Sequence, residues 1–197
     1  MKTKNINPSR FLVGIPLDSA LELYFQINHL KQLYRQGWLR SGRDVPKGQC
    51  ESVADHVFGL SMLALFVTDL YFPSLDQLKV IKMCLIHELG EIIVGDLPSP
   101  KSDMEREGKR KAEHMAISML LDDCPNGDEY LRFWEEFEEG KSPEAKLVRQ
   151  LDKLEMACQA KVYSLQHGNH FQEFFDDVRG QLETEELKKI LREVESI

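Results

Sequence analysis

The sequence predicts an all-α protein folded as a single domain. Three observations predict it. Alternating polar and apolar runs rich in Val, Ile and Thr, the mark of half-buried strands, are absent. Helical spacing recurs in segments of about 12 to 20 residues, divided by Gly and Pro. The length of 197 residues, at about 150 per domain, suits one core. A content of 42% apolar and 29% charged residues is ordinary for a globular chain and too apolar for disorder.

Residues 1–18 read as a lead-in. Lys2, Lys4 and Arg10 flank a short apolar piece that holds Gly14 and Pro16 and has no small-residue cleavage site, so it does not read as a secretion signal. Asp18 is placed to cap a first helix over about 19–36, ending near Gly37. A loop with Gly42, Pro46 and Gly48 follows. Ser52 then caps a second helix whose buried stripe is Val53, Val57, Leu60, Ala64 and Val67. Pro73 and Ser74 open a third helix to about residue 94, stopped by Gly95 and Pro98. A charged helix covers about 103–121 and another about 127–139. Ser142 and Pro143 are a good cap and first-turn pair for a long helix over 143–166, broken at His167-Gly168-Asn169. An amphipathic helix over about 181–195 ends the chain. No repeat or linker divides residues 19–197, which read as one compact helical bundle.

Lys and Arg number 25 and Asp and Glu 33, a net charge of −8. That disfavours nucleic acid or an anionic membrane as the main partner, since neither gains from an acidic surface. No apolar run approaches the ~18 residues of a bilayer span; the longest is 62–67. Cys50, Cys84, Cys124 and Cys158 form no CxxC pair, so neither a zinc knuckle nor a disulfide scaffold is suggested, and a cytoplasmic location is expected.

Local rules break at three places. The third helix is apolar nearly all round, which marks a buried helix, yet it contains His87, Glu88 and Glu91. His87 and Glu91 are four residues apart and share a face; Glu88 lies about 100° round from His87. His56 interrupts the second helix among Val53, Val57 and Leu60. Asp152 interrupts the long helix among Val148, Leu151 and Leu154. Buried carboxylates must be neutralised, paired or bound to a cation. Helix bundles build metal sites from such inward groups, and two imidazoles with two carboxylates suit Mn, Fe, Co or Zn. The plainer alternatives are hydrogen-bonded core histidines and an ion pair of Asp152 with Lys153 or Arg149.

His56, then His87-Glu88, then Asp152 resembles the H…HD…D signature of the HD-domain metal-dependent phosphohydrolases. Gly37-Trp38-Leu39-Arg40, Glu51-Ser52-Val53-Ala54-Asp55-His56, His87-Glu88-Leu89-Gly90-Glu91, Gly95-Asp96-Leu97-Pro98 and Leu151-Asp152-Lys153-Leu154-Glu155-Met156 are similar to the 5′-deoxynucleotidase branch, over about residues 20–195. The resemblance implies a compact all-α fold, a homodimer, a divalent ion (Co, Mn or similar) and hydrolysis of deoxyribonucleoside 5′-monophosphates to nucleoside and phosphate. Position by position, it makes His56, His87, Glu88 and Asp152 metal ligands and Glu91 the catalytic carboxylate. It places Asp96, Leu97, Pro98 and Ser99 against the sugar or further metal, and Trp38 along the nucleotide pocket.

Two positions depart from the pattern. Glu88 stands where the motif has aspartate, and its carboxylate reaches roughly 1.5 Å further. Gly37 stands where some members place a phosphate-orienting arginine; Arg40 is the favoured substitute, with Arg43 and Arg35 as alternatives. On this reading Glu91 orients or deprotonates water, or protonates the leaving oxygen, and Arg40 neutralises phosphate. The rival readings are an HD enzyme for another nucleotide, and a non-catalytic helical dimer that binds metal or nucleotide.

Elsewhere the bland reading is preferred. Residues 105–111 read as a solvated charged face, with a phosphate-facing cation as the minor alternative. His167 and His170 read as surface histidines. His29 and His114 are expected on exposed or half-buried faces, and Trp134 with Phe133 and Phe137 in core or dimer packing.

Overall fold

The computed structural model describes residues 3–39, 45–97, 102–168 and 171–197; no strand occurs among them. The lead-in is tied to the body. Thr3 pairs with Leu33, and the Lys4 N–H donates to Gln32 O at 2.6 Å.

Helix α1 covers Ser19–Ile27, with Asp18 accepting from the Ala20 N–H. It is shorter than the 19–36 expected. A 3₁₀ turn, Asn28–Lys31, follows, and Leu33 and Tyr34 then run extended. Tertiary hydrogen bonds replace the helical ones here. The Val53 N–H donates to Leu33 O at 3.0 Å, and the Arg35 N–H donates to Glu51 O at 3.1 Å. A second 3₁₀ turn, Gln36–Leu39, carries Trp38.

Helix α2, Val53–Tyr71, starts at a capping box in which the Ser52 side chain and Asp55 each accept from the other's backbone N–H. Its buried face includes the expected Val53, Val57, Leu60, Ala64 and Val67, together with His56. By length and composition α2 is apolar enough to cross a membrane. Sequence reading had found no such run because Asp55, His56, Ser61 and Asp69 interrupt it. One face of α2 lies in the protein core.

Helix α3, Gln77–Ile86, ends earlier than expected. Residues 87–90 form a turn before the short α4, Glu91–Val94. Bonds spanning three residues tighten this turn: the Leu89 N–H donates to Ile86 O at 2.9 Å and the Glu91 N–H to Glu88 O at 3.1 Å. Gly90 makes the turn's position possible. A Cβ built there would lie 2.8 Å from Glu113 Cβ, so only glycine lets the next helix approach so closely. That helix is α5, Asp103–Leu121. Gly95, at φ 83°, adopts the left-handed conformation that ends α4.

Helices α6, Gly127–Glu139, and α7, Pro143–His167, match the expected spans, with Ser142 capping α7 and Gly168 ending it at φ 69°. Helix α8, Gln172–Gln181, was not expected. Phe171, Phe175, Val178 and Leu182, all buried, fall at helical spacing, but the His-Gly-Asn break masked the pattern. Leu182 is extended, and α9, Glu185–Ser196, begins four residues later than expected.

Two buried clusters form the core. One gathers Leu60, Met83, Leu151, Leu154 and Leu187 around α7. The other gathers Leu33, Val53, Ile86, Ile117 and Trp134 beneath α5 and α6. Full burial of each such side chain contributes ~1.5–3 kcal/mol. His56 on α2 and His87 beyond α3 lie between these clusters in sequence, flanked on each element by residues of both.

Candidate metal centre and its cavity

The two histidines are held with one ring nitrogen bare. His56 is fully buried, and its Nδ1 lies 2.5 Å from Glu155 Oε2. His87 Nδ1 lies 2.8 Å from Cys84 O, a carbonyl that can only accept, so Nδ1 carries the proton. That back-side partner fixes the His87 tautomer and leaves its Nε2 as a lone-pair donor; His56 Nε2 becomes one once its proton is displaced. His56 Nε2 and His87 Nε2 are buried without a hydrogen bond, as are Asp152 Oδ1 and Glu91 Oε2.

These atoms face one another. His56 Nε2 is 3.1 Å from Asp152 Oδ1, close but without hydrogen-bond alignment. Adjacent ligands ~2.1 Å from one ion sit about 3 Å apart, so the spacing suits a dication that takes the place of the His56 proton. His87 Nε2 lies 3.6 Å from Glu88 Oε1. Ligand atoms of His56, His87 and Glu88 all fall within 4.8 Å of one another. The donor set, nitrogen and carboxylate oxygen with no thiolate, fits a divalent first-row ion.

Electrostatics follow the geometry. Burial opposes the Asp152 charge, but Lys153, with Nζ 2.9 Å from Oδ2, and His56 hold its carboxyl well below the usual range. Burial likewise opposes Glu88, but His87 and Arg35 bring it down to about 2. Burial works against charge on His56 too, yet Asp152 and Glu155 raise it to about 9. His87 is lowered by burial. Glu91, only 2% exposed, is raised well above the carboxylate range by burial, then by Glu88 and Asp96.

A cavity of about 1140 Å³ opens on this cluster. His87, Glu88, Glu91, Asp96, Leu97 and Asp152 all line it. Asp96 is buried and accepts from the Gln36 N–H at 2.7 Å, which ties the end of α4 to the Arg35 segment. Trp38 contributes one wall although it is 2% exposed. Its Nε1–H donates to Glu51 Oε1 at 2.7 Å, and its ring packs edge-on against Tyr163 and Phe171. Arg40, Arg43, Pro98 and Ser99 lie outside the described residues, as does His170.

Arg35, an alternative to Arg40 as the phosphate-facing arginine, lines the cavity, with its Nη1 donating to Glu88 Oε1 at 2.8 Å. Lys109, from the charged run on α5, also lines it, with Nζ 3.2 Å from Glu113 Oε1. Arg106 and Arg110 reach the cavity rim as well, while pairing within the run, Arg106 to Asp103 and Arg110 with Lys111 to Glu107, keeps much of it a solvated charged face. Sequence reasoning assigned no role to Lys109 in particular, to Glu155, or to Glu51. The expected ion pair of Asp152 with Lys153 is present beside the cluster rather than instead of it. His29 is buried, against expectation, because its 3₁₀ turn packs it under the lead-in and α4. His114 is half-buried and pairs with Glu135 at 2.9 Å, and Trp134 is core.

Comparison with known proteins gives concordant likenesses. An HD-domain family model matches residues 27–195. The 5′-deoxynucleotidase HDDC2 of Danio rerio is 36% identical over 181 residues, covering 89% of this chain and 86% of the relative. The protein of the same name from Homo sapiens is 31% identical, covering 90% and 85%. A crystal structure of a Pyrococcus horikoshii protein superposes with a TM-score of 0.71 at 33% identity, over 88% of this chain and 97% of that one.

Proposed function

The chain belongs to the HD-domain family, in its 5′-deoxynucleotidase branch, and from that premise we propose that it hydrolyses deoxyribonucleoside 5′-monophosphates to nucleoside and phosphate with a divalent ion such as manganese or cobalt. The observation that carries this reading is the set of buried donor atoms without a hydrogen bond, His56 Nε2, His87 Nε2 and Asp152 Oδ1, with His87, Asp152 and Glu91 lining a cavity of about 1140 Å³.

His56, His87, Glu88 and Asp152 would hold the ion. When bound, it supplies Lewis acidity at a phosphoryl oxygen and lowers the pKa of water. Glu91 has a buried carboxyl oxygen without a partner, so it can hold a proton between the attacking water and the leaving 5′-oxygen. Arg35 and Lys109 place positive charge on the cavity wall, where the substrate's phosphate needs it. Trp38, pinned by Glu51, offers a rigid flat edge to sugar or base. The buried aromatic packing behind it keeps that wall in place.

Two further readings have support. Phe58, Met62, Phe66 and Leu70, exposed and four residues apart along α2, form an apolar stripe that suits the homodimer interface. The cysteines are all free thiols, in keeping with the cytoplasm.

The deciding experiment is phosphate release from a panel of deoxy- and ribonucleoside monophosphates, using metal-stripped protein resupplied with Mn, Co, Mg or Zn. Metal-dependent release from the deoxynucleotides is expected. Absence of release with every metal would overturn the assignment.

A further inference from the structure

Glu88 is one methylene longer than the aspartate of the family motif, and it does not hang free. Its Oε1 accepts from Arg35 Nη1 at 2.8 Å while lying 3.6 Å from His87 Nε2. Both side chains are about seven-eighths buried. The carboxylate is therefore gripped between a guanidinium and the histidine cluster.

Arg35 is itself fixed. Its backbone N–H donates to Glu51 O, and the next residue's N–H donates to Asp96 Oδ2. The segment thus spans from the start of α2 to the end of α4. An aspartate at position 88 would retract the oxygen by roughly 1.5 Å, leaving it about 4 Å from the guanidinium, beyond hydrogen-bond reach. The pairing therefore depends on this chain's own Glu88. A glutamate also has one more rotatable bond to order than an aspartate, and the directed N–H of the guanidinium holds one of its oxygens in place. On the other side of the cluster Lys153 grips Asp152 Oδ2 and leaves Oδ1 facing His56.

We propose that Arg35 is a positioning residue for metal binding, which holds the long Glu88 side chain so that it serves where the family uses aspartate. This rests on the metal-dependent reading above.

The test is a manganese titration by calorimetry on the full-length, chelator-stripped chain, comparing wild type, Arg35→Lys, Glu88→Asp and the double variant. Arg35→Lys keeps the charge and removes the guanidinium N–H that reaches Oε1, so Coulombic effects on the dication stay level. The expected result is about tenfold weaker manganese binding in Arg35→Lys. The same change is expected to matter less than about twofold in the Glu88→Asp background, where no carboxylate reaches the guanidinium. Equal losses in both backgrounds, or no loss in either, would overturn the proposal. Should Arg35→Lys fail to fold, Arg35→Gln takes its place in the same cycle, with the same expected and overturning results. A wild-type chain that takes up no manganese defeats the metal reading itself, an outcome distinct from a binding chain indifferent to Arg35.

Discussion

Glu91 and the metal-facing residues divide the labour at the scale of single side chains. The carboxyl of Glu91 is buried and partnerless at Oε2, so replacing it with an amide of equal size tests proton handling without opening a hole. Glu91→Gln is expected to lower kcat by about 10²–10⁴-fold while manganese affinity stays near wild type, measured by phosphate release and calorimetry on the same preparation. Near-normal turnover would remove Glu91 from the mechanism. The residues at this scale were unequally legible. His56, His87, Glu88 and Asp152 stood out because each interrupts an apolar helical run. Arg35 did not, because it lies outside any helix with its backbone N–H bonded to Glu51, so no periodicity marks which way it faces. Lys109 was hidden among the charges of its run, and what marks it off from Arg106 and Arg110, which also reach the cavity, is its deeper burial beside Glu113. Glu155 sits one turn along from Asp152 on the same helix, but its contact with His56, 99 residues away in sequence, is tertiary.

Among the elements, the break between α3 and α4 carries most consequence. It turns a run that reads as one continuous helix into two pieces joined by a tight turn, and that turn presents His87 and Glu88. Gly90→Ala would place a methyl against Glu113 Cβ and Cα on α5. It is expected to destabilise the fold by ~1–3 kcal/mol in urea denaturation and to weaken metal binding, since the turn must shift. An unchanged midpoint would show that α5 can yield. Helices with strong caps and one clear apolar face, such as those at 103–121 and 143–167, were legible nearly to the residue. The segment after α1 was not, because Leu33, Tyr34 and Arg35 carry helix-compatible side chains while their backbone is claimed by Val53 and Glu51. Helix α8 was missed because its first turn follows so closely on a glycine-ended helix.

For the whole molecule, pH dependence of stability has a definite sign. Burial raises the Glu51 and Glu113 carboxyls to about 7 in the folded protein, against ~4.3 when unfolded. The folded state then binds more protons across that interval, so their contribution is complete below it and is lost as pH rises through 7. His56, at about 9 against ~6.5 unfolded, acts the same way, its contribution full below 6.5 and lost as pH rises through 9. In the presence of EDTA, the melting temperature should therefore fall between pH 7 and pH 9; a flat or rising profile would contradict these assignments. Manganese at a fixed total concentration should raise the melting temperature most at the alkaline end, where His56 is neutral, and a hundredfold excess over Kd adds ~2.7 kcal/mol of stability. The cluster also joins stretches of chain that are remote from each other, His56 near the beginning and Asp152 near the end. An ion seated there would rivet the first and last thirds of the polypeptide together, so that a protease cut in an intervening surface loop would leave two fragments still clasped until a chelator releases them.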